Sequence, residues 1–101
     1  AEQSILSYRR KDAKGRELVV LLNFTPVTRE DFLLAVPYAG TYEEIFNSDD
    51  LRFGGGGRVN DAPIRTRPEH LHNLPDTLSF TLPPLSAVIF HCRRKQPRIR
   101  K

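Results

Sequence analysis

ELVVLLNF, residues 17–24, runs directly into Thr25-Pro26, and its reading decides the fold. In a strand, side chains alternate between two faces, so Leu18, Val20, Leu22 and Phe24 share one and Val19, Leu21 and Asn23 the other. Both faces are apolar at their centre. An antiparallel sheet with one face in water normally reads apolar-in and polar-out. A strand apolar on both sides needs cover on both sides, and in so short a chain the second cover is expected from another domain. Val19 and Leu21 are the candidates for that docking face.

Working outward, the flanking sequence repeats one theme: short strand, turn, short strand. Residues 5–10 form a first strand, and Asp12-Ala13-Lys14-Gly15 a turn in which glycine takes positive φ. The 17–24 strand returns antiparallel to it and ends at Pro26, because proline cannot donate to a central ladder. Residues 32–36 form a third strand, and Pro37-Tyr38-Ala39-Gly40 a turn. Residues 41–46 form a fourth, with Tyr42, Glu44 and Phe46 opposite Thr41, Glu43 and Ile45. LSFTL (78–82) alternates cleanly, Pro83-Pro84 makes a corner, and residues 85–92 close the domain. No amphipathic helix pattern and no internal repeat interrupts this. The expectation is an all-β antiparallel β-sandwich of Greek-key character, with about six to eight strands over residues 1–92.

Between 47 and 76 regularity fades, apart from short pairings expected near Val59 or Ile64. The stretch holds Asn47-Ser48-Asp49-Asp50, the run Gly54-Gly55-Gly56-Gly57, and prolines at 63, 68 and 75. An irregular segment of this length is functional or packs on a neighbour.

Composition bounds the class. The 101 residues suffice for one modest core, and 39% hydrophobic with 28% charged residues is ordinary for a globular domain. No apolar run approaches the roughly 20 residues of a membrane span, and the opening AEQSILSYRR lacks a leader pattern. The single cysteine, Cys92, excludes an internal disulfide and suits a reducing compartment, so a cytoplasmic location is expected. The net charge of +4 is concentrated in the ending RRKQPRIRK (93–101), which holds six cations. Without them, ten basic residues face twelve acidic ones, a body of net −2. Residues 93–101 therefore read as a solvated, disordered basic tail, and the folded part lacks the basic excess of a nucleic-acid-binding domain.

Chemistry-bearing patterns are weak. The glycine run lacks the following Lys-Ser/Thr and the helix of a phosphate-binding loop; Arg58-Val59-Asn60 follows instead. His70 and His72 share a strand face, but no further metal ligand lies at a familiar spacing. His91 and Cys92 point oppositely on a strand, which suits no Cys–His nucleophile pair. The neighbouring carboxylates Glu43-Glu44 and Asp49-Asp50 diverge rather than face each other across a sugar. No catalytic residue, metal site or cofactor site is assigned.

From Ile5 to Cys92 the chain resembles one family. LVVLLNFTPV (18–27), FLLAVPYAGTYEEIFNSDD (32–50), FGGGG (53–57) and LSFTLPPLSAVIF (78–90) are similar, in that order, to the carboxy-terminal β domain of glycogen branching enzymes. That family places "NFTPV" after an apolar strand, a "GxYxEIxNTD" strand before a Tyr/Phe-Gly-Gly loop, and "LxLTLPPLxxxxL" at the close. Two departures are a glycine at 56, where a serine commonly follows the second glycine, and the extension RRKQPRIRK.

The resemblance implies a parent that cleaves an α-1,4-glucan and rejoins the chain through an α-1,6 link, with its aspartate nucleophile and glutamate acid/base in a (β/α)8 barrel outside these residues. This domain is then expected to be non-catalytic and to pack on that barrel, with Val19, Leu21 and Phe53 as candidate interface residues. A detached domain should self-associate through such a face or be markedly less stable than the parent. The alternative is an accessory glucan-binding module, with Tyr8, Tyr38 and Tyr42 as candidate platforms for sugar stacking; Phe53 is a further plausible ring of this kind.

Overall fold

The computed structural model describes residues 5–36, 38–69, 71, 74 and 76–95. The pair His70 and His72 and tail residues 96–101 lie outside this range. Among the described residues seven strands form: β1 (Ile5–Lys11), β2 (Glu17–Asn23), β3 (Arg29–Val36), β4 (Gly40–Asn47), β5 (Ile64–Arg65), β6 (Asp76–Leu82) and β7 (Ser86–Lys95). One 3-10 turn, Leu51–Phe53, sits in the β4–β5 connection. All pairings are antiparallel, in a five-stranded sheet ordered β1-β2-β7-β4-β5 and a two-stranded sheet β3-β6. The chain changes sheet at every connection except β1–β2 and β4–β5, so the two sheets form a sandwich.

The core lies between the sheets. Leu78, Phe80 and Leu82 of β6, with Leu34 and Val36 of β3, meet Val19 and Leu21 of β2, Val88, Phe90 and Cys92 of β7, and Tyr42 of β4. Period-two alternation in β6 produces this directly, leaving Ser79 and Thr81 only half-buried on the other side. Phe80 meets Phe90 edge to face, with centroids 4.6 Å apart, and Phe32 on its other flank at 5.8 Å.

The corner motifs are joined by one amide. Asn23, 1% exposed, donates from Nδ2 to the carbonyls of Pro83 (2.8 Å) and Val27 (3.2 Å). Its Oδ1 accepts from the N–H and hydroxyl of Thr25 (2.9 and 2.7 Å). The N–H of Leu85 donates to the Thr25 carbonyl. The asparagine of NFTPV thus clamps the β2–β3 corner onto the β6–β7 corner, with its whole hydrogen-bonding capacity used in a dry site.

Three expectations are corrected here. Val19 (5% exposed) and Leu21 (fully buried) are sealed inside this chain, because β6 covers their face. They belong to the core, not to an interface. The open side of β2 carries Leu18, Val20 and Leu22 instead. A strand apolar on both faces does not say which face the second sheet takes. In β4, strict alternation breaks at an irregularity between Glu44 and Phe46. Tyr42 pairs with Cys92 and points into the core, while Phe46 pairs with Ile89 and points outward. Finally, β7 continues to Lys95 and pairs Arg94 with Thr41 and Lys95 with Gly40, so residues 93–95 belong to the sheet rather than to the tail.

Candidate docking face

Among the described residues no layer covers the outer face of the five-stranded sheet. Register places Leu6, Leu22 and Ala87 in one row and Tyr8, Val20, Ile89 and Phe46 in the next. Leu6 is 50% exposed and Tyr8 41%, while Val20, in the middle of its row, is shielded by its neighbours to 8%. Beside Phe46 stands Phe53, its ring centroid 5.5 Å away, and Leu51 is 72% exposed. Of the three expected interface residues, Phe53 alone is at the surface.

Leu51 and Phe53 are held out by a loop built on carboxylates. Asp50 accepts from the N–H of Arg52 at 2.9 Å and so starts the 3-10 turn, while Gly54 ends it at φ +82°. The carboxylate of Asp49 accepts from the N–H groups of Gly56 (3.0 Å) and Arg58 (2.9 Å), with the Arg58 guanidinium 3.7 Å away. Partial burial opposes the charge on Asp49, but these donors and the guanidinium outweigh it and hold the carboxyl below its ordinary value. Asp50 is lowered too, chiefly by the Arg52 N–H.

The glycines serve this geometry. Gly57 has φ +85°, and a Cβ on Gly55 would overlap the backbone of Asp49. At Gly56 a Cβ would displace the movable end of Arg58 and touch the Asp49 carboxylate at ordinary contact distance. The run is a fold requirement at three of its four positions, not a phosphate cradle.

The other carboxylate pair is partly absorbed as well. Glu44 accepts from the N–H of Asn60 (3.1 Å), from its Nδ2 (2.8 Å) and from Asn47 Nδ2 (3.0 Å). Asn60 in turn donates to the Thr81 carbonyl and accepts from the Thr81 N–H, tying the loop to β6.

The tyrosines separate. Tyr42 is 1% exposed and donates its hydroxyl to the Tyr38 carbonyl at 3.0 Å, so it offers no face to a sugar; its assignment as a glucan platform is withdrawn. Burial, with the Cys92 thiol beside it, raises its hydroxyl pKa well above the ordinary value. Tyr8 and Tyr38, distant in sequence, line one open groove of about 630 Å³ with Ser7, Arg9, Arg10, Lys11 and Glu17. The Arg10 guanidinium lies 5.2 Å from the Tyr8 ring centroid.

Among the described residues no group of three or more His, Cys, Asp or Glu is placed to hold a metal ion, and no helix is long and apolar enough to cross a membrane.

Against known proteins, a family model described as the α-amylase C-terminal all-β domain matches residues 1–93. The 1,4-alpha-glucan branching enzyme GlgB of Oceanobacillus iheyensis is 38% identical over 99 residues, covering 97% of this chain and 16% of that protein. The GlgB of Francisella philomiragia subsp. philomiragia is 41% identical over 95 residues, covering 93% and 15%. That of Aromatoleum aromaticum is 44% identical over 90 residues, covering 89% and 14%. The chain thus spans about one-sixth of the length of these relatives.

Proposed function

Because this chain belongs to the α-amylase C-terminal all-β domain family, we propose that it serves as the non-catalytic C-terminal domain of a 1,4-α-glucan branching enzyme and packs its outer sheet face on the catalytic portion. One observation carries this reading. The core is sealed between the two sheets, yet Leu6 and Phe46 remain exposed on the opposite face, with the exposed Phe53 ring 5.5 Å from that of Phe46. An isolated monomer rarely keeps a contiguous apolar patch without a use for it. At about 25 cal/mol per Å², burying several hundred Å² contributes on the order of 10 kcal/mol before association costs.

The test uses the O. iheyensis enzyme in three forms: intact, without its matching stretch, and with this chain in place of that stretch. Deletion should lower branching activity and thermal stability, and replacement should restore both. A deletion that changes neither would remove the supporting role.

A second reading rests on the meeting of Tyr8 and Tyr38 in one groove: a weak α-glucan contact at the β1 edge. Retarded migration of the chain in glycogen-containing gels, lost in the Tyr8→Ala/Tyr38→Ala pair, would support it. Unchanged migration of the parent chain removes it.

A further inference from the structure

The outer face is divided into two halves. The half containing the Leu6–Leu22–Ala87 and Tyr8–Val20–Ile89–Phe46 rows is apolar. The next row runs Arg10, Leu18, His91 and Glu43 across β1, β2, β7 and β4. Beyond it lie Arg65, paired with Thr41, and Arg93, which follows the inward-facing Cys92. Ile64 packs against the core, so Arg65 points the other way. Arg10, Arg65 and Arg93 are all exposed, and Glu43 is the one exposed carboxylate among them.

Arg10 and Arg65 come from a body of net negative charge, so the cations on this half of the face are a feature of the face rather than a general basicity. Exposed cations beside an apolar patch give a docking surface its orientation, because the wrong alignment leaves them unpaired or facing like charge. The two edge strands β1 and β5 and the central strand β7 set these cations across the width of the sheet, and none of them is needed by the core.

Resting on the docking reading above, we propose that the catalytic portion presents an apolar patch bordered by carboxylates, and that Arg10, Arg65 and Arg93 pair with those carboxylates to set the register of the interface. The occupant is that catalytic portion. The relatives carry more than four-fifths of their length outside the matched stretch, and the apolar half of the face is continuous with the basic half.

Hydrogen exchange in the full-length replacement enzyme tests this, with the 101-residue chain alone as reference. Amides of residues 49–58 should exchange more slowly in the full-length protein than in the chain alone. Screening shortens the Debye length from about 14 Å at 50 mM to about 4 Å at 500 mM salt, so that protection should fall about tenfold over this range. The triple substitution Arg10→Glu, Arg65→Glu, Arg93→Glu should abolish most of the protection at low salt, and Arg→Lys at the same sites should retain most of it. A triple Arg→Gln form, with melting of the free chain as a folding control, replaces the reversal if that form does not fold. Protection that is present but indifferent to salt and to both charge-removing triples overturns the acidic register while leaving docking intact. Absence of protection overturns docking itself. Protection in the full-length enzyme that rises with its concentration assigns the face to a second copy and overturns the proposal.

Discussion

At the scale of single residues, the glycine run shows how one string can hold different requirements. Gly55 has no room for a Cβ against the Asp49 backbone, whereas a Cβ at Gly56 would overlap only the flexible end of Arg58, with the Asp49 carboxylate at ordinary contact distance. Gly55→Ala should therefore destabilise by roughly 1–3 kcal/mol, and Gly56→Ser should stay within about 0.5 kcal/mol, as measured by urea unfolding. The serine-bearing family pattern at this position is physically compatible with the loop. Asp49 supplies a pH dependence of definite sign. Its folded pKa lies below the ordinary 3.8, so it stabilises above that value and the contribution is lost as pH falls through the folded value. The stability gap between the parent and Asp49→Asn should be widest near neutrality and close in acid. A gap that stays constant down to pH 2.5 in thermal melts would show that the carboxylate charge is irrelevant. None of this was legible in the sequence, where Asp49-Asp50 reads as a solvated turn; only the return of residues 56–58 gives the carboxylate its donors.

At the scale of elements, β2 separates core from surface within one strand. Leu21→Ala, in the sealed face, should cost about 2–5 kcal/mol. Phe53→Ser, on the open face, should leave the free chain's stability within about 0.5 kcal/mol while reducing its binding of an apolar dye. The reverse ranking in matched denaturation and dye titrations would mean that the inner and outer faces have been exchanged. β7 gives a third check. Truncation after Cys92 removes the pairing of residue 94 with Thr41 and of residue 95 with Gly40, so it should melt below truncation after Lys95. Strand positions were readable because alternation and Gly/Pro punctuation are local. The irregularity in β4 was not, because it turns on how β4 and β7 align, two strands with β5, β6 and a long loop between them.

At the scale of the whole molecule, the two sheets share one core, and the concentration dependence of sedimentation should reveal weak self-association through the uncovered face. The amino-acid order determined the all-β class, the number and rough extent of the strands, and the family, since these follow from period-two patterning, turn chemistry and short motifs in sequence. It determined that β2 is apolar on both sides. Only the tertiary structure decided which side became the interior. The two-stranded sheet can lie on either face of β2 without violating any local rule, and the choice is made by packing among residues from five strands at once. That choice buried Tyr42, sealed Val19 and Leu21, and left Phe46 and Phe53 outside.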